Sequence, residues 1–173
     1  AGEPHAEAAS LLRSARTVII VPGYGMAVAQ AQAELVELAG WLQRHGTEVL
    51  IAIHPVAGRM PGHMNVLLAE ADVDYDLLKE MDEVNPRFAG CDLALVVGAC
   101  DVVNPAANTV ADTPISGMPI LQVDRAARVI VCNLDERPGY SGVPNPLYQN
   151  TKTLLLLGDA KTSLRRVFAA LDV

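Results

Sequence analysis

The stretch that decides the fold is Val18-Ile19-Ile20-Val21-Pro22-Gly23-Tyr24-Gly25-Met26-Ala27-Val28-Ala29-Gln30. Its β-branched apolar run predicts a buried strand, and the two glycines with the alanine-rich sequence after them predict a turn and a helix. This order is typical of the first βαβ unit of a dinucleotide-binding domain, in which the turn holds pyrophosphate. Gly23 permits the tight turn, Gly25 lets the backbone approach a ligand, and the first N–H groups of the helix attract anionic oxygens.

The third position of the Gly-x-Gly-x-x-Gly/Ala pattern is occupied by Val28. A small residue normally stands there because helix and strand pack closely at that point. An ordinary glycine turn between a strand and a helix is therefore an open alternative.

Composition favours one α/β domain over residues 1–173, with residues 1–16 as a short helical lead-in. Of the 173 residues, 51% are hydrophobic and only 4% aromatic, which suits the aliphatic strands of a buried parallel sheet. The net charge of −7, without a basic block, disfavours nucleic-acid binding. The sequence has no apolar run of membrane-spanning length, so we expect a soluble chain.

The cysteines and histidines are too dispersed to predict a metal site. Cys91, Cys100 and Cys132 are odd in number and form no close pair, so we interpret them as reduced thiols.

Strand and helix patterns alternate along the rest of the chain. We expect a helix over Ala29–His45, a strand over Glu48–His54 and helical sequence over Tyr75–Met81. Further strands are expected at Asp92–Gly98, Arg128–Cys132 and Thr153–Leu157, with a helix from Asp159 towards Leu171. This alternation predicts a Rossmann-like, doubly wound, mainly parallel open sheet with helices on both faces and a ligand beyond the carboxyl ends of the strands.

Polar residues follow these strands directly. Arg59 lies in a Gly/Pro-rich loop and is a candidate partner for phosphate or carboxamide. Asp101 is a possible acid/base group, an acceptor for an amide, or a helix cap, and His54 is a proton-exchanging or a positioning group. His54-Pro55 also stands where an ordinary NAD site carries an acid for the ribose. Because the sequence shows no nucleophilic triad, the chemistry is expected to belong to a cofactor, with hydride transfer as the reaction.

Several long segments resemble one known family. They are residues 23–32, 54–71, 104–107, 117–119 and 158–161. Together they closely resemble the NADP(H)-binding domain of proton-translocating nicotinamide nucleotide transhydrogenase, the C-terminal part of its beta subunit.

The resemblance implies a domain that binds NADP(H) in a flipped orientation. It also implies hydride transfer with NAD(H) held by a partner domain, coupled to proton passage through a separate transmembrane domain, on the cytoplasmic side of a bacterial inner membrane. The residues expected around the nucleotide are Gly23, Tyr24, Gly25, Met26, Ala27, Val28, His54, Val56, Ala57, Gly58, Arg59, Met60, Pro61, Gly98, Cys100, Asp101, Asn133, Asp135, Arg137, Gly139, Tyr140, Gly158, Asp159 and Ala160.

This chain departs from the family after the strand at Arg128–Cys132. The family usually has Lys-Arg-Ser there, gripping the 2′-phosphate of NADP, whereas this chain has Asn133-Leu134-Asp135-Glu136 followed by Arg137. The phosphate then needs Arg137, Arg125 or Lys161, or else Asp135 or Glu136 holds a ribose diol and favours NAD(H). We expect NADP(H) to remain the ligand, with Arg137 supplying the positive charge. Cys100 also stands where the family usually has Asn.

Three functions remain open at this point. The first is a component of a redox enzyme that presents NADP(H) to its partner domain and is inactive alone. The second is a non-catalytic module that senses dinucleotide. The third, a self-contained reductase, is disfavoured because one short domain shows no second substrate pocket.

Overall fold

A computed structural model describes residues 3–58, 60 and 62–171. Arg59 and Pro61 of the predicted site therefore lie outside the described residues. The strands are β1 (Thr17–Pro22), β2 (Glu48–Ile53), β3 (Leu78–Glu80), β4 (Leu93–Val97), β5 (Arg128–Asn133) and β6 (Thr153–Leu157). The helices are α1 (Pro4–Ser14), α2 (Tyr24–Ala29), α3 (Gln32–Arg44), α4 (His63–Glu70), α5 (Met81–Val84), α6 (Ala106–Thr109) and α7 (Ala160–Leu171).

All strand pairs are parallel, in the order β3-β2-β1-β4-β5-β6. The predicted doubly wound α/β fold is confirmed. The order reverses between β1 and β4, so a crevice is expected beyond the carboxyl ends of these two strands.

The sheet separates two apolar cores because successive strand residues face opposite sides. In β1, Ile20 belongs to the core with α1, α3, α4 and α7, whereas Ile19 and Val21 belong to the core on the other face. That second face carries α5 and short 3-10 helices, including Asn85–Gly90, Val123–Arg125 and Pro146–Gln149. Phe88 is its largest fully buried side chain.

Two expectations for local structure are wrong. Tyr75–Met81 is not helical throughout, because Leu78–Glu80, between the 3-10 turn at Tyr75–Leu77 and the start of α5 at Met81, pairs with β2 as an edge strand. The helix expected over Ala29–His45 is interrupted at Gln30, whose φ of 54° is left-handed, so that α2 ends at Ala29 and α3 begins at Gln32. Within the described ranges, no helix is long and apolar enough to span a membrane.

Candidate functional site

A crevice of about 1050 Å³ lies beyond the carboxyl ends of β1, β2 and β4. It is lined by Gly23, Tyr24, Gly25, Val56, Ala57, Gly58, Gly98, Ala99, Cys100, Asp101, Val102, Pro114, Ile115, Met118, Gly139, Tyr140 and Ser141. Its volume is at the upper end of the range for small-molecule and cofactor sites. The crevice thus brings together predicted site residues from four separate segments.

The turn after β1 is packed directly against the end of β4. Gly23 N–H donates to Val97 O at 2.9 Å, and Gly25 N–H donates to Gly98 O at 2.8 Å. A Cβ added at Gly23 would lie 2.5 Å from Gly98 O, and one added at Gly25 would lie 2.8 Å from Gly98 Cα. The sequence predicted that Gly25 leaves room for a ligand. In the structure, its missing side chain and its N–H group both serve the close contact with Gly98.

The three residues after this turn contribute differently from the prediction. Met26 is fully buried in the core, and neither Ala27 nor Val28 lines the crevice. The bulk of Val28 does not disturb the packing of α2 on the sheet, because its side chain is 65% exposed.

His54 is a positioning group whose two ring nitrogens are both used. Val56 N–H donates to Nδ1 at 3.1 Å, so the proton is on Nε2, which donates to Pro119 O at 2.7 Å. Burial lowers the pKa of His54 below its usual value, and the hydrogen bond to Pro119 opposes this effect. His54 therefore joins the loop after β2 to the segment that supplies Met118 to the crevice, without lining the crevice itself.

Asp101 lines the crevice and binds the loop after β5. Its Oδ2 accepts the N–H of Ser141 at 2.9 Å, and its Oδ1 accepts the Ser141 hydroxyl at 2.7 Å. The backbone of Gly139 lies against this carboxylate, since an added Cβ would be 3.0 Å from Cγ and both oxygens. Asp101 is the first residue of a 3-10 helix, but its carboxylate does not cap that helix, so the capping alternative is wrong.

Further side-chain amides join the same two segments. Asn104 Nδ2 donates to Val143 O and Pro144 O, both at 3.3 Å, and Asn145 Nδ2 donates to Cys100 O at 3.1 Å. The loop that carries Gly139–Ser141 is thus held against the end of β4 at several points.

Asn133 lies under the crevice rather than in it. Its Nδ2 donates to Ala99 O and to Tyr148 Oη, each at 2.8 Å, and Tyr148 Oη donates to Cys100 Sγ at 3.4 Å. Burial, and to a smaller extent Cys100, raise the pKa of Tyr148 above its usual value. Asn133 Oδ1 is buried and has no hydrogen-bond partner within the described ranges.

The charged part of the loop after β5 is exposed. Asp135 Oδ1 accepts the N–H of Arg137 at 2.9 Å, and Arg137 Nε lies 3.6 Å from Asp135 Oδ2. The Arg137 side chain is 87% exposed. Neither residue lines the crevice, although Gly139, two positions further on, does.

The remaining predicted site residues lie outside the crevice wall. Asp159 caps α7, since its Oδ2 accepts the N–H of Thr162 at 2.9 Å, and Gly158 N–H donates to Asn133 O at 3.0 Å. Ala160 is buried, and the Met60 side chain is 59% exposed without lining the crevice.

Sequence reasoning missed six crevice residues. They are Ala99, Val102, Pro114, Ile115, Met118 and Ser141. Met118 was within a segment of the resemblance. The sequence contained no signal that Pro114 and Ile115 would line the crevice.

A second cavity of about 680 Å³ lies beyond β2 and β3. It is lined by Ile53, His54, Pro55, Ala57, Gly62, Met64, Asn65, Tyr75, Leu78, Lys79, Glu80, Met81, Asp82 and Glu83. Ala57 lines both this cavity and the crevice, and His54 lines this cavity while it binds Pro119, next to the crevice residue Met118.

The sequence matches known proteins along almost its whole length. Residues 3–170 match the family described as NAD(P) transhydrogenase beta subunit. The chain is 52% identical over 166 residues to the NAD(P) transhydrogenase subunit beta of Rhodospirillum rubrum, a match that covers 96% of this chain and 36% of that protein. The chain therefore spans about a third of the length of the curated relatives that it matches.

The fold also occurs in other proteins. Benzoylformate decarboxylase from Polynucleobacter necessarius superposes with a TM-score of 0.57 at 18% identity, over 98% of this chain and 27% of that one. At this identity the likeness concerns the fold alone. The sequence match settles the family: the chain belongs to the NAD(P) transhydrogenase beta subunits.

Proposed function

We propose that this chain binds a nicotinamide dinucleotide in the crevice and presents its nicotinamide ring to a separate domain that holds NAD(H). The observation that carries the proposal is the crevice of about 1050 Å³ at the reversal of strand order, in a member of a transhydrogenase family. Ligands of open α/β sheets bind at this reversal point.

The crevice residues fit such a ligand. The turn after β1 brings the backbone of Gly23 and Gly25 and the side chain of Tyr24 to the crevice, and Ile115 and Met118 add apolar surface that limits the access of water. Arg59 is proposed as a phosphate or carboxamide partner on the basis of its loop alone. When bound, the nicotinamide itself supplies the hydride chemistry, so that the protein has to provide only proximity, orientation and exclusion of water.

Asp101 is proposed to orient the ligand rather than to transfer a proton. Its carboxylate is fixed by Ser141 at the crevice wall and offers its remaining acceptor capacity to an amide. We therefore assign it as an orienting group.

Two dinucleotides remain as ligands in this proposal. The family resemblance implies NADP(H), whose 2′-phosphate would have to draw Arg137 away from Asp135. The Asp135–Arg137 contact favours NAD(H), because the Asp135 carboxylate beside Arg137 offsets the positive charge that a 2′-phosphate would need.

The partners follow from the family. We propose that the chain acts with an NAD(H)-binding domain and with a transmembrane proton-channel domain of the same complex at a bacterial inner membrane, and that it is inactive alone. A non-catalytic dinucleotide-sensing module is the second function, since Asp101, the one charged residue that lines the crevice among the described residues, is already bonded on both oxygens.

Hydride exchange separates these two functions. The chain, loaded with a reduced nicotinamide dinucleotide as the hydride donor, is mixed with the purified NAD(H)-binding domain of a transhydrogenase that holds an oxidised nicotinamide analogue with a distinct absorbance, and reduction of the analogue is followed. Exchange that requires both proteins supports the proposed function. Tight dinucleotide binding without exchange would support the sensing module.

A further inference from the structure

We infer that Asp135 selects a dinucleotide whose ribose has a free 2′-hydroxyl, so that the crevice takes NAD(H) in preference to NADP(H). This inference rests on the proposed binding of a dinucleotide in the crevice. It names the ligand, and it assigns a role to a carboxylate that the proposed hydride transfer does not use.

The first step concerns the end of the crevice next to β2. In most dinucleotide-binding domains, an acid at the end of β2 holds the ribose hydroxyls. Here His54 stands at that place, with both ring nitrogens bonded within the protein, and Val56–Gly58 supply no carboxylate. The acids at and after β3, Glu80, Asp82 and Glu83, line the second cavity and not the crevice.

The second step concerns the opposite end. β5 is the neighbour of β4 in the sheet, and the loop after β5 supplies Gly139–Ser141 to the crevice wall. Asp135 lies four residues before Gly139 in this loop, and its side chain is 44% exposed. A carboxylate at this end has the acceptor capacity that a ribose diol requires. The ribose is therefore assigned to the β5 end of the crevice.

The third step is the charge that a 2′-phosphate would meet. Such a phosphate carries a charge of nearly −2 at neutral pH. Asp135 and Glu136 against Arg137 leave the loop with a formal charge of −1. Among the described residues that line the crevice, none is Lys or Arg. The phosphate would thus face excess negative charge, whereas a neutral diol would not.

The fourth step is the position of the available cations. The backbone N–H of Arg137 donates to Asp135 Oδ1 at 2.9 Å and so orients the carboxylate, while the exposed Arg137 side chain lies 3.6 Å from Oδ2. Arg125 belongs to the 3-10 helix directly before β5, which places it at the opposite edge of the sheet. Lys161 is in the first turn of α7, which follows β6, and it does not line the crevice.

The test is calorimetric titration of the chain with ADP-ribose and with 2′-phospho-ADP-ribose, which differ only in the phosphate. ADP-ribose should bind at least about tenfold more tightly, the scale of one hydrogen bond to a charged group. Tighter binding of the phosphorylated probe would overturn the inference and leave the proposed function intact. Binding of neither this pair nor NAD⁺ and NADP⁺ would overturn the proposed function itself.

Single substitutions test whether the Asp135 carboxylate causes the preference for ADP-ribose. Asp135→Asn keeps an oxygen for the Arg137 N–H and so preserves the turn, but it should weaken ADP-ribose by about tenfold. Asp82→Asn, the matched change on α5 beyond β3, should alter both affinities less than twofold. A larger effect of Glu136→Gln than of Asp135→Asn would overturn the assignment to Asp135. Circular dichroism checks that each variant is folded. The preference of the unmodified chain for ADP-ribose over 2′-phospho-ADP-ribose tests the inference without any variant.

Discussion

Two sides of the crevice are stabilised in different ways. The side that we call the packed side consists of Gly23–Gly25 and Gly98 at the crevice wall and of His54, which borders the crevice; here backbone groups touch one another and the histidine is neutral and buried. The side that we call the charged side is the loop Asp135–Ser141, of which Gly139–Ser141 line the crevice; here an exposed ion pair and a part-buried hydrogen bond to Asp101 hold the loop. Substitutions on the packed side would disrupt close backbone contacts. Charged residues on the charged side can be replaced without destabilising the hydrophobic core. The packed side therefore sets the shape of the site, and the charged side sets its chemistry.

The largest effect is expected from Gly98→Ala on the packed side. A Cβ there would lie 2.1 Å from Met26 N, so β4 and α2 would have to separate. The free energy of unfolding should fall by more than about 3 kcal/mol, as for severe overpacking. Denaturant unfolding measures this loss.

Gly117→Ala is the matched control for this change. Both glycines have a left-handed φ, of 73° and 78°, but a Cβ at Gly117 would meet nothing within 4 Å. It should cost about 1 kcal/mol from backbone conformation alone. Equal losses of stability in the two variants would show that glycine is required at position 98 because of backbone strain and not because of close contact with Met26.

His54→Gln should have the next largest effect. It disturbs two hydrogen bonds of a buried ring, and the cost at neutral pH should be about 1–3 kcal/mol in free energy of unfolding. Because burial lowers the pKa of folded His54, the unfolded chain binds this proton more readily. The stability that neutral His54 provides is complete above the unfolded pKa of about 6.5 and is lost as the pH falls below it.

The measurement is the free energy of unfolding at pH 7.5 and at pH 5.5. The unmodified chain should lose more stability between these values than His54→Gln does. An identical pH dependence in both proteins would show that other groups account for the loss.

The packed side also shows how far the sequence predicts the fold. Val18–Val21 and the glycines after them predicted β1 and its turn, because apolar runs and glycine have strong local preferences. β3 was missed because three residues are too few to show an alternating pattern, and it forms only by pairing with β2. The break at Gln30 was missed because a left-handed glutamine has no local signature.

The crevice was predicted less completely than the fold. The strand ends showed which segments would meet, and four of them do. The contact of His54 with Pro119 joins residues 65 positions apart, and that of Asp101 with Ser141 joins residues 40 positions apart. A positioning role was one of the two predicted for His54, but only the folded chain brings such pairs together, so the partners Pro119 and Ser141 were not predictable from local sequence.

On the charged side, Arg137→Ala should weaken NADP⁺ binding by about 1–3 kcal/mol, because it removes the one cation of the loop. NAD⁺ binding should change little, since NAD⁺ has no 2′-phosphate. The fold should be unaffected because the side chain is 87% exposed. Parallel calorimetric titrations with both nucleotides measure the difference, and equal weakening of the two would show that Arg137 contacts a part that they share.

A small effect on stability is expected from Asp101→Asn, because Asp101 follows β4 and bonds Ser141 of the charged side. One carboxylate oxygen becomes an amide, and the hydrogen bonds to Ser141 weaken, at a cost of about 1 kcal/mol in free energy of unfolding. Hydride exchange with the partner domain should nevertheless slow by about tenfold, since an acceptor at the crevice wall is lost. Ser141→Ala removes the hydroxyl donor but keeps both the carboxylate and the backbone N–H group. If the carboxylate contacts the ligand, exchange should slow more in Asp101→Asn than in Ser141→Ala. Equal slowing would mean that Asp101 acts only by holding the loop, and a large loss of stability with normal exchange would make its role purely structural.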